Sequence, residues 1–533
     1  MKITAGILTS NRQSFHLSSG LRLGNDNAIN APQINLAANI GSTPMLKFAY
    51  SRFCTVEGIV FQTQGNGTRM LSFDGVNGGF IGTTGRVRGC YFFDQTNANV
   101  DLTAIAISET EPTNNHEFYE IVDNFAILGA RQFVCGLATR TGANTWSLAA
   151  SYRSLADRGD GNPVAVGQRV RIALQNQIYS SPICLDTTIA SVNTGANTFT
   201  TVADATPNPN EAVQCIIGGA GDAQYPFTGT FLLVGANSNS KQHLVKNNQI
   251  NTAAYGIHMK GGSAHIALNK FEFCEKAIYT ENAVEGIDIH QNDSETCACF
   301  ADINGQVPFT LAYNRLAPQF ADPVNGYVHL GATPRNVRIM ANTWTQPMPP
   351  HCRFLNLDLA GAVTTSVEGN CFDTGTNPDS FAVGIDAAQY QFPRPVTLLG
   401  NSAITNITTG FHVISGGIRQ VGSGQTNQMD SALAVGPNST ALSWWTGIDT
   451  TWVPGTIAAG VTVTRDIATN GSAQFFDSNM AVAGVNVDLQ GCNLWAQQIG
   501  FHSVRVYIRN PTGAGITING GAAIQTKVAL FHF

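Results

Sequence analysis

Charged residues are scarce in this chain of 533 residues. They make up 12% of the sequence, about half the usual share, and 29 lysines and arginines against 35 acidic residues give a net charge of −6. A nucleic-acid-binding protein would present a basic face, but no run of lysine or arginine occurs. The composition therefore argues against nucleic acid as a partner.

Long apolar runs and a cysteine framework are also lacking. No stretch reaches the length of a membrane span, and the start MKITAGILTSNRQSF has too short an apolar run for a signal peptide. The 11 cysteines are scattered, and Cys274, Cys297 and Cys371 are interpreted as small buried hydrophobic residues. We therefore expect no membrane insertion, and folding without disulfides in a reducing cytoplasm.

Asparagine recurs in the middle of the chain at nearly constant intervals. Asn248, Asn269, Asn292 and Asn314 follow one another at steps of 21, 23 and 22 residues, and self-similarity at such a period indicates a repeat architecture. An aliphatic residue stands three positions before each asparagine: Val245, Ile266, Ile289 and Leu311. Segments such as AHIALNKFEF have the apolar pattern of strands, not helices. The repeat predicts coils of a right-handed parallel β-helix.

Two physical reasons favour asparagine at this position. A tight corner between strands often needs a left-handed backbone conformation, which asparagine and glycine tolerate best. Stacked asparagine side chains can also hydrogen-bond from coil to coil. The register extends to further positions on both sides: downstream to Asn342, Asn370 and Asn401, and upstream to Gly58, Gly89 and Asn124.

The patterns predict an all-β chain in six segments. Residues 144–240 interrupt the coil register with alternating Val, Ile and Thr, which predicts an inserted small β-barrel. The last segment alternates in SVRVYIRN and AIQTKVALF, which predicts a jelly-roll-like antiparallel β-sandwich for trimerisation or receptor binding. The expected segments are an N-terminal arm or cap with a possible attachment role (1–50), β-helix (51–143), inserted barrel (144–240), β-helix (241–415), linker (416–440) and C-terminal sandwich (441–533).

Several phrases resemble one family of proteins. VEGIVF is similar to the early coils of bacteriophage tailspike and tail-fibre proteins, which have a pectate-lyase-like right-handed parallel β-helix. LDTTIASVNTGANTFTTV resembles the small β-domains beside such helices, and VRVYIRNPTGAGITI resembles the end of C-terminal sandwiches on phage fibres. The resemblance implies a homotrimer on the virion tail, assembled in the host cytoplasm with other tail or baseplate proteins. The family's particle-binding N-terminal domain is not found intact, so the attachment point stays open.

Three functions are compatible with this resemblance. The first is a virion appendage that recognises host surface polysaccharide and mediates adsorption without an enzymatic role. The second is a polysaccharide depolymerase, either a glycoside hydrolase or a lyase, on the same scaffold. The third is a structural decoration of the virion. The sequence leaves open which polysaccharide is bound, whether it is cleaved, and which end of the chain faces the particle.

Carboxylates on successive coils are the catalytic candidates. Glu272 and Glu295 both stand three positions after a repeat asparagine, and adjacent coils lie about 4.8 Å apart. That spacing is near the roughly 5–5.5 Å between the carboxyl groups of retaining glycosidases, and like charges so close raise one pKa. Asp288 adds a third acidic group on an outward face. Ser294 warns that this coil could slip by one residue, and acidic residues on exposed strands are also commonplace.

Tyrosines along the coils are the candidates for ligand binding. Tyr255, Tyr279 and Tyr313 could stack on sugar rings, as could Tyr327, because amphipathic rings suit half-wet sites. The alternative is packing in the core or at a subunit interface. No HExxH, paired CxxC, P-loop or GxGxxG motif occurs, so the sequence predicts no metal and no cofactor.

The histidines of the coils do not follow the register. His258, His265 and His290 occur at different offsets within the coils, so we expect them not to stack as metal ligands.

Assembly is predicted from the weakly charged exterior. Large apolar exposure is unusual in monomers, and aromatic residues are enriched at interfaces. The last segment carries four tryptophans: Trp444, Trp445, Trp452 and Trp495. We expect a homotrimer closed about a three-fold axis and held most tightly by its C-terminal sandwiches.

Overall fold

The structure is a computed structural model of the chain. The residues it describes are 2–3, 7–10, 15–18, 33–36, 43–49, 53–63, 69–74, 84–94, 102–109, 116–128, 133–159, 161–173, 184–204, 212–219, 222, 229–236, 240–305, 308–323, 325–331, 336–346, 353–358, 364–372, 381–386, 396–399, 401–403, 409–420, 434–442, 445–468, 479–500 and 503–532. Two compact units divide the chain, one holding residues 1–416 and 422–438, the other 417–421 and 439–533.

The first unit is a parallel β-helix with three sheets. One coil runs from His243–Lys246 through a corner to Gln249–Asn251 and then into the long strand Tyr255–Ala267. That strand bends near Gly262, where φ is +79° and a Cβ atom would lie 1.6 Å from the Ser240 carbonyl oxygen. Its two halves belong to different sheets, because Tyr255 pairs with Thr230 while Ala267 pairs with Lys246.

The three sheets are named I, II and III, and every pairing between the described coils is parallel. The strands of sheet I are Lys2–Ile3, Gln33–Leu36, Val60–Thr63, Tyr91–Asp94, Phe125–Ile127, Gln249–Asn251, Lys270–Glu272, Asp293–Glu295, Arg315–Ala317, Thr343–Trp344, Cys371–Phe372 and Ser402–Ala403. The strands of sheet II are Ile7–Ser10, Leu46–Ala49, Arg69–Asp74, Thr103–Ile107, Thr230–Val234, the first halves of Tyr255–Ala267 and Lys276–His290, Cys299–Ile303, Val328–Leu330, Arg353–Asp358, Phe381–Asp386 and Thr409–Gln420.

Sheet III is continuous with sheet II through the two long strands. Its strands are Phe15–Ser18, Cys54–Glu57, Gly85–Arg88, Glu120–Val122, His243–Lys246, the second halves of Tyr255–Ala267 and Lys276–His290, Phe309–Ala312, Asn336–Met340, Thr364–Glu368 and Val396–Leu399. Ala434–Leu442 also belongs to the joined sheet.

The asparagine repeat forms one continuous hydrogen-bonded column at the corner between sheets III and I. Asn269 donates its side-chain N–H to Asn292 Oδ1 (3.0 Å) and to the carbonyl oxygen of Val245 (2.9 Å). Its backbone N–H also donates to Asn292 Oδ1 (2.9 Å). The same pattern joins Asn124, Asn248, Asn269, Asn292, Asn314, Asn342, Asn370 and Asn401, all buried. The predicted ladder is therefore confirmed.

The left-handed residue of this corner is not the asparagine but the residue before it. Gln291, Tyr313 and Ala341 have φ of +55°, +57° and +51°. Gly58 and Gly89 occupy that same preceding position, since Val122 pairs with Arg88 and Cys90 N–H donates to Asn124 Oδ1 (2.9 Å). The alignment of the two glycines with Asn124 was therefore wrong by one residue, because the prediction assigned the turn and the side-chain ladder to one position.

Buried side chains stack from coil to coil inside the helix. Phe48 lies on Phe73 with ring centroids 5.2 Å apart, and Trp344 lies on Phe372 at 4.6 Å. Ser294 does not mark a slip in register: it pairs between Phe271 and Leu316 and shares a hydrogen bond of 2.8 Å with the buried Tyr327 hydroxyl. A single coil could not bury these faces alone, so each coil depends on its neighbours.

The N-terminal residues differ from the expectation of an arm or cap without coils. Lys2–Ile3 pairs with Asn35–Leu36, and Ile7–Ser10 pairs with Leu46–Ala49, in both cases in parallel. These described strands extend sheets I and II towards the N-terminus. The sequence pattern missed them because no asparagine ladder marks the coils before Asn124.

The inserted domain is a closed antiparallel barrel. Its strands, in order around the barrel, are Val134–Gly142, Thr145–Tyr152, Thr198–Thr201, Cys184–Asn193, Arg169–Ala173 and Val213–Ile217. Trp146 and Phe199 are fully buried in its core. The barrel begins at Val134, within the range 51–143 expected for the first coils, because the first hairpin strand precedes the turn at Asn144.

Two contacts anchor the barrel to the β-helix. Arg171, buried on a barrel strand, donates to Glu275 Oε1 (3.0 Å) and Asp322 Oδ2 (2.5 Å) in the coils. Tyr152 of the barrel stacks on Phe273 of the coils with centroids 4.8 Å apart. The barrel therefore sits at the corner where sheet I passes into sheet II.

The second unit consists of antiparallel sheets around one core. Its strands are Trp445–Trp452, Ile524–His532 and Asn479–Val485 in one sheet, Thr462–Ala468, Ser503–Arg509 and Asn493–Gly500 in another, and the pair Thr456–Ile457 and Ile516–Thr517, with a 3-10 turn at Ile518–Gly521. The alternation of Val504, Val506 and Ile508 is borne out, since all three are fully buried. The predicted all-β fold class is thus confirmed, with its parallel β-helix, its inserted barrel and its C-terminal antiparallel sheets.

The described cysteines are unbridged, and the tryptophans of the second unit differ in burial. Each cysteine in the described ranges is a free thiol, and Cys274 and Cys297 are buried. In the second unit Trp452 is buried, whereas Trp495 is 42% exposed and stacks on Tyr507. Trp444 lies outside the described residues. Among the described residues, none lies in a helix with the length and hydropathy of a membrane span.

Candidate functional site

Aromatic and charged side chains are concentrated on the outer face of sheet II. Tyr255 and Tyr279, on adjacent coils, stack with ring centroids 5.2 Å apart and an interplanar angle of 24°. His258 contacts both rings, with centroid distances of 4.8 and 4.9 Å. Burial raises the pKa of both tyrosines, so their hydroxyls remain protonated donors at neutral pH.

A buried ion pair underlies these rings. The Lys276 ammonium lies 4.5 Å from the centroid of the Tyr279 ring and forms an ion pair with Asp302. Asp302 also accepts hydrogen bonds from His329 Nδ1 (2.8 Å) and Asn304 (3.0 Å). Burial alone would raise the pKa of Asp302, but the His329 hydrogen bond and the Lys276 charge outweigh it and hold that pKa well below its ordinary range.

An exposed carboxylate completes the group. Glu281 Oε1 lies 2.8 Å from His258 Nε2, and the Glu281 side chain is 42% exposed. Burial lowers the pKa of His258 although the Glu281 hydrogen bond acts against it. We call the whole set the tyrosine cluster: Tyr255, His258, Lys276, Tyr279, Glu281, Asp302 and His329.

The register of sheet II explains why these residues meet. His258 pairs with Tyr279, Tyr279 with Asp302, and Asp302 with His329, so the four occupy one column of successive coils. Strand neighbours in such a column lie about 4.8 Å apart. Aromatic faces beside fixed donors and acceptors can hold a polar ligand that also has apolar faces.

The predicted acidic pair also stacks, but on sheet I. Glu272 and Glu295 are direct partners on adjacent strands. Lys270 forms an ion pair with Glu272 and lies 3.4 Å from Glu295, while Arg315 lies 4.0 Å from Glu295. Cations therefore lie between and beside the two carboxylates. The catalytic role of Glu272 and Glu295 stays a prediction.

Asp288 and Tyr313 do not join these groups. Asp288 lies on sheet III, where its Oδ2 is 2.9 Å from His265 Nδ1, so the three predicted carboxylates do not converge. Tyr313, 62% exposed, occupies the corner between sheets III and I and is separate from Tyr255 and Tyr279. Tyr327, also considered for sugar stacking, is fully buried in the core.

The expectation that the histidines do not stack was wrong for one pair. His265 Nε2 and His290 Nε2 are 2.7 Å apart. His290 is two residues beyond the position that pairs with His265, so both project from the same face of sheet III on adjacent coils. An offset of two residues keeps both side chains on the same face, because side chains alternate along a strand, and it is short enough for two imidazole rings on adjacent coils to meet.

A concave surface lies at the corner between sheets III and I. This corner groove has a volume of about 490 Å³. It is lined by Glu57, Gly58, Arg88, Gly89, Tyr91, Asp123, Asn124, Phe125, Asn247, Asn248, Gln249, Leu268 and Lys270. The groove does not include the tyrosine cluster. We favour the cluster as the site because its aromatic and charged groups make direct, specific contacts with one another.

Solved structures similar to this chain are bacteriophage tailspikes. The tailspike of Pseudomonas phage phi297 is 11% identical with a TM-score of 0.29, over 89% of this chain and 90% of that one. The tailspike of Acinetobacter baumannii bacteriophage AP22, in complex with a capsular saccharide, is 10% identical with a TM-score of 0.22, over 95% and 92%. A mutant tailspike of E. coli bacteriophage HK620, in complex with a pentasaccharide, is 9% identical with a TM-score of 0.34, over 99% and 87%.

No protein-family model matches the sequence, and no curated protein matches it. At the low identities and TM-scores of the solved structures, the fold assignment stands on the strand pairing within this chain.

Proposed function

We propose that this chain is a phage virion appendage that binds bacterial surface polysaccharide through the tyrosine cluster. The observation that carries the proposal is the stacked pair Tyr255 and Tyr279 with Lys276, Glu281 and His258 around it. Sugar rings have apolar faces and hydroxyl edges. The apolar face of a sugar can stack on the tyrosine rings, and its hydroxyl groups can hydrogen-bond to the charged groups around them.

Preorganisation supports this surface as a binding site. Lys276 and Asp302 are largely buried and paired, so the Tyr279 ring rests on a fixed support. A ligand would then order few side chains on binding, which lowers the entropic cost of association. The barrel anchor at Glu275 is adjacent in sequence to Lys276 and holds this part of the coil in place.

The test is binding of the full chain to purified capsular polysaccharides and lipopolysaccharides of candidate host bacteria. Tyr279→Ala should weaken binding by about 1 kcal/mol or more, roughly fivefold, and the double variant Tyr255→Ala with Tyr279→Ala should weaken it further. Tyr91→Ala, in the corner groove, is the matched control and should bind as the wild type does. Loss of binding in the control alone would assign recognition to the groove and overturn the proposal.

Cleavage of the polysaccharide is a second candidate function. It is favoured by the direct pairing of Glu272 with Glu295 on adjacent coils. Incubation of the polysaccharide with the protein would then release oligosaccharides, and Glu272→Gln and Glu295→Gln would each abolish the release. Asp288→Asn should not, because Asp288 lies on another sheet. Intact polysaccharide after prolonged incubation would exclude this function.

Assembly as a homotrimer and attachment to other tail or baseplate proteins are part of the same proposal. The low charge of the exterior supports an oligomer, because 12% charged residues leave large weakly polar surfaces to cover. Exposed apolar side chains on the coils, among them Phe53 and Phe118, add to this support.

A further inference from the structure

The facing histidines on sheet III form a compact group with one acidic residue. His265 Nε2 lies 2.7 Å from His290 Nε2, and His265 Nδ1 lies 2.9 Å from Asp288 Oδ2. The side chains of His265, Asp288 and His290 are 44%, 45% and 25% exposed. Solvent and ions can therefore reach all three.

The two hydrogen bonds fix the direction of the imidazole protons. Asp288 can only accept when ionised, so His265 donates from Nδ1 and keeps a lone pair on Nε2. His290 Nε2 then donates to that lone pair. In this arrangement a single proton lies between two nitrogen atoms that are both suited to bind a metal.

We propose that a divalent transition-metal ion, of which Zn²⁺ is the probe, binds between His265 Nε2 and His290 Nε2. The metal takes the place of the proton between the two nitrogens, and His290 adopts the tautomer protonated at Nδ1. Asp288 accepts the Nδ1–H of His265 and orients the ring, as carboxylates do behind histidine ligands of zinc. Water completes the coordination.

The distances allow this with a small movement. Zinc–nitrogen bonds are about 2.0–2.1 Å, so two nitrogens at a tetrahedral angle stand about 3.3 Å apart. The rings must separate by roughly 0.6 Å, which a small rotation of two half-exposed side chains supplies. His265 and His290 come from neighbouring coils, so the ion would join the coils.

The residues that pair with this group on the neighbouring strands are mostly uncharged. Leu244 and Thr310 flank His265 and Asp288 in their column, and Ala267 and Ala312 flank His290. Lys246 is the partner of Ala267 and is the cation of the neighbouring coil on this face. Imidazole nitrogens select transition metals over Mg²⁺ and Ca²⁺.

The experiment is isothermal titration calorimetry of the metal-free full chain with Zn²⁺, repeated with Mg²⁺ and Ca²⁺. We expect one saturable Zn²⁺ site per chain and none for the other two ions. His265→Gln and His290→Gln should each remove the site. Asp288→Asn should weaken it by roughly 10- to 100-fold. Glu285→Gln, which removes a carboxylate from the same strand, is the matched control and should leave the affinity unchanged.

Thermal unfolding provides a second readout. Zn²⁺ should raise the midpoint of wild-type unfolding, EDTA should reverse the rise, and the histidine variants should show no rise. Saturable binding that persists with both histidines replaced would overturn the proposal, as would the absence of a saturable site in the wild type. An equal loss in Glu285→Gln and Asp288→Asn would remove the assigned role of Asp288.

Discussion

Replacing Asn292 by alanine tests the asparagine ladder as the element that holds the coils in register. Asn292 Oδ1 accepts the backbone N–H of Asn269 (2.9 Å) and its side-chain N–H (3.0 Å), and Asn292 is 1% exposed. Alanine leaves two buried donors without an acceptor. Each unsatisfied group costs about 1–3 kcal/mol, so the expected loss is about 2–6 kcal/mol.

The matched control is Gln291→Ala, one residue earlier. Gln291 has φ of +55°, which strains glutamine and alanine alike. Its side-chain amide takes no part in the asparagine ladder. A surface substitution of this kind changes stability by no more than about 0.5 kcal/mol.

Native-state hydrogen exchange with mass spectrometry is the appropriate assay, because a stack of coils need not unfold in one step. Peptides that cover Asn269 should exchange at least roughly 30-fold faster in Asn292→Ala than in the wild type, which corresponds to 2 kcal/mol. Peptides near Asn401 should change less. Exchange near Asn269 within about threefold of the Gln291→Ala control would refute the argument.

Three further predictions concern the barrel, pH and assembly. Arg171→Met removes the cation that Glu275 and Asp322 both contact, and breaking a buried ion pair from one side costs about 3–5 kcal/mol, so limited proteolysis should cut the barrel faster. Adding Glu275→Gln and Asp322→Asn should restore resistance, and equal rates in the single variant and wild type would contradict the anchor. The folded pKa of Asp302 lies below its ordinary value of 3.8, so its contribution to stability is fully present above about pH 4 and is lost as the pH falls through the folded pKa. Asp302→Asn should flatten this acid-side decline of the urea midpoint. An unchanged decline would contradict the role of Asp302. Deletion of residues 441–533 should yield monomers or aggregates in light scattering, whereas a stable trimer would show that the coils hold the subunits together.

The β-helix was predictable because one column of the repeat is chemically distinctive. A buried asparagine that satisfies donors of the preceding coil is costly to exchange for an apolar residue, so it marks the register in every coil from Asn124 to Asn401. The aliphatic residue three positions earlier adds a second mark, since its side chain lies in the core, as the full burial of Val245 and Ile266 shows. At the ladder position the coils that contain Val60–Thr63 and Tyr91–Asp94 carry Ile59 and Cys90, so these coils were predicted with their corner one residue off, and the coils before residue 51 were missed.

The candidate site was only partly predictable. Tyr255 and Tyr279 stood out as aromatic residues along the coils, but their partners are chemically mixed. The column that contains His258, Tyr279, Asp302 and His329 shows three residue types in four coils, so no single residue type repeats along it as asparagine does along the ladder. The signal was nonetheless present, because His258, Tyr279 and Asp302 each stand ten positions after a ladder asparagine, whereas a longer loop precedes His329.

The acidic pair shows a different limit of the sequence. Stacking of Glu272 on Glu295 followed from the register, but the sequence did not indicate that Lys270 lies within ion-pair distance of both. Long side chains reach across strands, so the charge that a carboxylate experiences depends on rotamers as well as on register.

A structure of the chain with an oligosaccharide from the polysaccharide it binds tests the central claim most directly. The account predicts a sugar ring against Tyr255 and Tyr279, with hydroxyl groups within hydrogen-bond distance of Glu281 or His258. A saccharide bound in the corner groove beside Tyr91, with the tyrosine cluster empty, would contradict it.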